Sequence, residues 1–328
     1  MYLKQLFLNI GSEHMIISAS RRTDIPAFYS DWFFNRLREG YLMVRNPMNI
    51  HQVSKIILSP DIVDCIVFWT KNPEPMLKRI SELNKYNFYF HFTLNSYDKS
   101  IEPNVPEKKH LISVFKELSK MIGEERVIWR YDPILLTDIF NKEYHIKWFE
   151  VLAEKLSGFT CKCVISFIDF YKKTERNLRG LNLIPFNNDI INEIAFNFSR
   201  IAQKYGMVIE TCSEEIELEK YNIKRGKCID DELISRIAGK KISLEKDPNQ
   251  RTVCGCVKSV DIGAYNTCKH NCIYCYANFN KDMVINNTKQ HNVNSPLLYG
   301  DLGDDDIVKT KIYSSDFDNQ ISFDDLFK

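Results

Sequence analysis

Cys268, Cys272 and Cys275 lie within YNTCKHNCIYCYAN, residues 265–278, in the spacing C-x3-C-x2-C. Three thiolates on one tight loop can hold three corners of a 4Fe-4S cube and leave the fourth iron without a protein ligand. That open corner separates the pattern from four-cysteine electron-transfer sites. A zinc ion needs a fourth donor, for which His270 or an upstream cysteine is the candidate. Ordinary zinc spacing pairs two C-x2-C units, so this spacing suits zinc less well. Buried free thiols are the structural alternative.

Half of the chain's ten cysteines fall within residues 254–275. Core cysteines do not usually gather in this way; ligands do. Cys212, Cys228, Cys254 and Cys256 form a second set that could hold a second iron–sulfur cluster or zinc, with small buried side chains as the alternative. Cys65, Cys161 and Cys163 read as core residues of strands. No secretory signal is apparent in MYLKQLFLNIGSEHM, so the thiols read as reduced and the protein as cytoplasmic.

Other side chains suited to chemistry stand where apolar runs end. Arg21 and Arg22 offer planar forks for a carboxylate or phosphate. Lys71, Arg130 and Asp132 are similar candidates, and these five are the expected catalytic set. Ser18, Ser20, Asp24, Arg45, Asn46, Trp69, Asn72, His91, Thr93, Asn95, Ser166, Asp169, Glu210 and Thr211 complete a polar ring. Ordinary salt bridges and helix capping, such as Asp24 ahead of Pro26, compete with that reading for each. His91 is a proton-transfer candidate or a packed strand histidine. Tyr131 and Tyr276 could relay a radical or belong to the core.

The elements that must position these groups alternate. Apolar runs rich in Val, Ile, Phe and Tyr appear at 15–20, 41–46, 65–70, 88–94, 126–131, 162–167, 207–212 and 259–265. Amphipathic stretches separate them: PAFYSDWFFNRLRE, HQVSKIILS, PEPMLKRISELNKY, EKKHLISVFKELSKMIG, KEYHIKWFEVLAEKLSG and NDIINEIAFNFSRIAQKYG. Several end in Gly, as helices often do. This alternation predicts parallel βαβ units and an α/β fold of the (β/α)8 TIM-barrel type, with an open doubly wound sheet as the alternative. The expected layout is an extension at 1–14 and a barrel over 15–290. The barrel carries a cysteine-containing insertion beside its rim at about 213–258, and an acidic tail follows at 291–328.

Composition sets the outer bounds. With 328 residues and 44% apolar side chains the chain can bury a full core. The formal net charge of +1 gives no global field toward nucleic acid or anionic membrane. No apolar stretch is long enough to span a bilayer.

CKHNCIYC resembles the signature of radical S-adenosylmethionine enzymes, C-x3-C-x-aromatic-C. The longer string YNTCKHNCIYCYAN is most similar to the cluster loop of proteins related to spore photoproduct lyase, a DNA-repair branch. The resemblance implies that Cys268, Cys272 and Cys275 hold a 4Fe-4S cluster whose open iron chelates S-adenosylmethionine. It implies a 5′-deoxyadenosyl radical that abstracts hydrogen, with Tyr274 near the adenine. Ser18, Arg21 and Asn72 are further candidates to bind the cofactor. It also implies a reductant such as flavodoxin or ferredoxin, and an unknown substrate, with nucleic acid carried by analogy only. In most of that superfamily the cluster loop follows the first barrel strand; here it follows the last. Circular permutation resolves this, with SVDIGAY closing beside MIISAS. From IISASRRTDIP through WTKNP and YDPI to CGCVKSVDIGAYNTC, the chain also resembles a bacterial family designated domain of unknown function 1848. The alternative reading is a non-radical barrel protein with a structural or electron-transfer iron–sulfur or zinc site.

Overall fold

The computed structural model describes residues 15–168, 177–242 and 244–311. The expected extension at 1–14, the rim candidate Asp169 and the end of the acidic tail (312–328) lie outside the described residues.

Eleven strands are described: β1 (Ile16–Ala19), β2 (Tyr41–Asn46), β3 (Asn49–Ile57), β4 (Cys65–Thr70), β5 (Phe88–Thr93), β6 (Val127–Ile134), β7 (Lys162–Phe167), β8 (Val208–Thr211), β9 (Lys224–Arg225), β10 (Val260–Asp261) and β11 (Ile307–Thr310). Eight of them form one parallel sheet in the order β10-β1-β4-β5-β6-β7-β8-β9. Seven of the eight predicted runs are in it. Among the described residues no strand pairing joins its two edges, β9 and β10.

The described helices are α1 (Ile25–Phe28), α2 (Ser30–Glu39), α3 (Glu74–Leu77), α4 (Lys108–Ile122), α5 (Lys142–Leu156), α6 (Asn188–Lys204), α7 (Asp231–Ala238) and α8 (Lys281–Lys289). Their ends follow the local chemistry. Asn141 and Asn187 accept the N–H groups of Tyr144 (2.9 Å) and Ile190 (2.8 Å), and so cap α5 and α6. Gly40 ends α2 in the left-handed region at φ 77°. Among the described residues no helix is long and apolar enough to cross a membrane.

Two predictions need correction. The run at 41–46 does not enter the parallel sheet. As β2 it pairs antiparallel with β3, and β11 adds on the far side of β3. The stretch HQVSKIILS, expected to be a helix, lies mostly within β3. Its β-branched residues bury Val53 and Ile56, while the turn at Pro47 and Met48 offers β2 as an immediate partner. Arg45 and Asn46 therefore leave the expected ring, and Arg45 pairs with Asp306 of the acidic segment. That segment is not all tail, since it supplies β11. The eighth position of the parallel sheet belongs to β9, too short at two residues to leave a periodic signal.

Alternation along the strands gives the main sheet two different faces. Ile17, Ile66, Phe68, Phe90, Phe92, Trp129 and Ile165 join the core built with the helices. Ile16, Val67, Tyr89, Ile128 and Val164 point the other way and pack against Cys228, Ile229, Leu233, Ile234, Cys254 and Cys256. The segment expected as an insertion beside the rim thus covers the second face of the sheet.

Where β10 leaves the sheet, the chain passes close to the end of β1. A Cβ built on Gly263 would lie 2.0 Å from Ser20 Oγ and 2.6 Å from Ser20 Cβ. Only glycine fits without a shift of that backbone. Gly263→Ala is expected to cost about 1–3 kcal/mol, read as a lower urea midpoint with an unchanged slope.

Candidate functional site

Asp261, the second residue of β10, binds β10 to β1. Its carboxylate accepts from Ser18 Oγ (2.8 Å), Ser20 Oγ (2.7 Å), Arg21 N (2.8 Å) and Gly263 N (3.0 Å), and Arg22 Nε lies 3.9 Å away. The loop that follows is closed at its ends by Asn266. Asn266 N donates to Ala277 O (2.8 Å), and its side-chain oxygen accepts from Phe279 N (3.0 Å) and Asn280 N (3.2 Å). Asn266 and Asn271 both adopt φ 54°, a region asparagine tolerates better than most residues.

Neighbouring elements hold the middle of the loop. Tyr29 OH donates to Thr267 O (2.6 Å), Asn104 N to His270 O (3.2 Å) and Ile273 N to Ile101 O (3.1 Å). Asp24 does two jobs. One oxygen caps α1 through Ala27 N (3.0 Å); the other accepts from Lys71 N (2.7 Å) and His270 Nε2 (2.9 Å). The expected capping is present, and His270, weighed as a zinc ligand, braces the loop through this bond.

The loop brings Cys268, Cys272 and Cys275 close enough to influence one another electrostatically. Burial pushes all three thiols up, Cys272 to about 12. Opposing this, backbone N–H groups of Ala277 and Asn278 reach Cys275, and that of His270 reaches Cys268. Among the described residues no group of three or more His, Cys, Asp or Glu side chains is already arranged around a single metal ion. A cube places each thiolate on a different iron, so it does not require three sulfurs to meet at one point. The donor set of three cysteines with amide N–H groups turned toward two of the sulfurs fits a thiolate-bound cluster.

A buried charge network adjoins Cys272. Glu102 accepts from Lys71 Nζ (2.7 Å), Lys108 and the Tyr274 hydroxyl, while Lys71 sits 5.5 Å from the centre of the Tyr274 ring. Burial alone would raise the Glu102 carboxyl; the two lysines overcome it and hold the value at about 2. Two ammonium groups against one carboxylate leave positive charge beside Cys272.

The remaining candidates fall on the sheet face opposite the helices or just past its strand ends. Arg21 donates to Ser259 Oγ (2.9 Å), lies 5.6 Å from the centre of the Trp69 ring, and accepts from Tyr276 OH at its carbonyl (2.9 Å). Arg22 stands 5.2 Å from the centre of the Tyr265 ring and faces a cleft of about 560 Å³ between the two sheets. Arg130 pairs with Asp132, which also accepts from Ser166, and donates to Cys228 Sγ (2.9 Å). Asn72 accepts from Glu74 N (3.3 Å) at the start of α3.

His91 is buried and bonded through Nε2 to Cys228 O (2.8 Å). A carbonyl only accepts, so Nε2 carries the proton. Burial and then Arg130 push the ring well below its ordinary value, and it is neutral. Tyr131 is core, bonded to Ser96 and His145. Cys65 and Cys163 are buried in β4 and β7, whereas Cys161 precedes β7 and is half-buried.

Cys212, Cys228, Cys254 and Cys256 do come together. Cys212 Sγ lies 3.3 Å from Cys228 Sγ, Cys228 reaches Cys256, and Cys256 reaches Cys254. Contact with Cys256, against the opposing effect of burial, lowers the Cys254 thiol to about 6.

Sequence reasoning missed Asp261, Glu102 and Asn266. Asp261 had a signal: a carboxylate inside an otherwise apolar strand, two residues before a glycine. Glu102 had none, because Lys71 and Tyr274 are distant from it in the chain.

The fold and site define an α/β protein whose cysteine loop leaves the edge of an eight-stranded parallel sheet. Residues 16–277 match the family model described as Domain of unknown function (DUF1848), and the chain belongs to that family. No curated protein and no solved structure matches the chain.

Two outcomes follow from these networks. Asp261→Ala leaves hydroxyl and N–H donors without their acceptor and is expected to cost about 3 kcal/mol in urea unfolding. For Glu102 the folded value lies below the ordinary 4.5. Its contribution of about 3 kcal/mol is therefore complete above pH 5 and lost as pH falls from 4.5 toward 2. Urea midpoints measured across that range should fall more steeply for the wild type than for Glu102→Gln, which starts lower at neutral pH.

Proposed function

We propose that this protein is a radical S-adenosylmethionine enzyme on a circularly permuted (β/α)8 barrel. In this reading β10 takes the place of the superfamily's first strand. Cys268, Cys272 and Cys275 would hold a 4Fe-4S cluster, with S-adenosylmethionine beside Arg21, Ser18 and Tyr274. When reduced, such a cluster supplies one electron to cleave S-adenosylmethionine and release a 5′-deoxyadenosyl radical.

The observation that carries the reading is the cysteine loop itself. It leaves the C-terminal end of β10, beside the matching end of β1, with Cys272 buried and backbone N–H groups acting on the half-buried Cys268 and Cys275. In parallel α/β proteins this end of the strands is where function collects. Lys71 and Lys108 add the positive charge that an anionic cluster ligated by thiolates would favour. Arg21 is a fixed cation at the same strand ends, suited to a carboxylate. Arg130 and Asp132 supply polar groups farther along that face. The packed loop and the segment over the sheet would keep water from the reacting groups.

Anaerobic reconstitution tests this. The expected result is a brown protein with about four irons on this loop, forming 5′-deoxyadenosine from S-adenosylmethionine and a reductant. Cys272→Ala should lose both colour and product. A colourless protein that binds only zinc would overturn the proposal in favour of a non-radical metal protein.

A further inference from the structure

Among the described residues, the second cysteine group lies beside both unpaired edges of the parallel sheet. Cys212 directly follows β8, Cys228 lies just past β9, and Cys254 and Cys256 precede β10. β9 and β10 are the two edges of the sheet. The segments beside those edges nevertheless touch, since Val257 N donates to Ile229 O (3.2 Å). Four thiols from three separate stretches therefore meet across a seam that strand pairing leaves open.

Hydrogen-bond donors face two of these sulfurs. Cys228 N and Ile229 N both donate to Cys256 Sγ, at 3.2 and 3.4 Å. Arg130 Nη1 donates to Cys228 Sγ at 2.9 Å, although Asp132 already pairs with that guanidinium. A neutral thiol is a weak acceptor, and three donors turned toward two buried sulfurs suit thiolates. The backbone at Cys228 is also anchored, because its carbonyl accepts from Tyr89 OH (2.6 Å) and His91 Nε2 (2.8 Å). Tyr89 and His91 are thereby committed to placing a cysteine, a use of buried polar groups that apolar packing alone would not require.

We propose that Cys212, Cys228, Cys254 and Cys256 bind one thiophilic divalent cation, of the zinc class, as a structural staple across the β9–β10 seam. A single ion fits better than a second cluster because Cys212 Sγ and Cys228 Sγ already lie within reach of one centre. Zinc–sulfur bonds of about 2.3 Å place tetrahedral sulfurs a little under 4 Å apart, close to the 3.3 Å between Cys212 and Cys228. A cube would spread them more widely. The four now form a chain of contacts, so the ion draws its ends, Cys212 and Cys254, around one centre. Four thiolates on a divalent ion carry two negative charges, which Arg130 and nearby Arg21 partly offset.

The test is made independent of the radical reading by removing the other cysteines. The full chain with Cys268→Ala, Cys272→Ala and Cys275→Ala is titrated anaerobically with cobalt(II). The expected result is one cobalt per chain with thiolate-to-metal absorption, displaced by zinc, and a raised unfolding temperature with zinc. Adding Cys254→Ser and Cys256→Ser should weaken binding by more than about 100-fold, beyond the effect of an outer-shell change. A folded triple variant that takes up no cobalt would overturn the proposal, as would uptake unaffected by the two serines. Should the triple variant not fold, the wild type is compared with Cys254→Ser alone. One tight cobalt fewer in the variant supports the site, and equal counts refute it.

Discussion

The carboxylate of Asp261 is the interaction on which the cysteine loop depends. β10 is two residues long and cannot hold a sheet edge through backbone pairing alone. Asp261 adds to that pairing by gathering the hydroxyls of Ser18 and Ser20 and the N–H groups of Arg21 and Gly263. These bonds fix the direction in which the chain leaves the sheet, and Gly263 permits the close approach to Ser20. Asn266 then closes the loop that carries the three cysteines. A short strand is thus made precise by a side chain.

Alternation gives the parallel sheet two unlike faces. One face is aromatic and aliphatic and packs against helices, with Phe68 stacked on Phe90 and Trp129 on Phe149. The other becomes polar toward the C-terminal ends, with Ser18, Trp69, His91, Arg130 and Ser166 in turn. Charged groups there are not left bare: Arg130 has Asp132, and Lys71 and Lys108 share Glu102. Removing one member of such a buried set leaves the rest uncompensated, so each network behaves as a unit.

Much of this was legible in the residues. Seven apolar runs became strands of the parallel sheet because buried parallel strands need continuous β-branched and aromatic segments. PAFYSDWFFNRLRE, EKKHLISVFKELSKMIG, KEYHIKWFEVLAEKLSG and NDIINEIAFNFSRIAQKYG became helical over nearly their spans, whereas PEPMLKRISELNKY holds only the single turn of α3 and a 3-10 turn at Ile80–Leu83. The second cysteine set was singled out from CGC and its neighbours, and Cys212 and Cys228 lie 3.3 Å apart at their sulfurs. The hairpin of β2 and β3 was not recognised, because a short amphipathic stretch fits either period until a partner strand is present. Arg45 was assigned to the strand-end ring for the same reason, although its partner is Asp306 in the distant acidic segment.

By itself the sequence determined most of the local elements and the spacing of the three cysteines, since both depend on neighbours a few residues away. It also set the reading of the loop as a thiolate ligand set. Only the tertiary structure decided which face of the sheet each polar side chain occupies and which charges become partners. It placed the segment between β9 and β10 over that face. These outcomes depend on contacts between residues far apart in the chain, such as Asp24 with His270, Ser18 with Asp261 and Cys228 with Cys256. Such contacts carry no periodic signal, because each partner is chosen by where the backbone brings it.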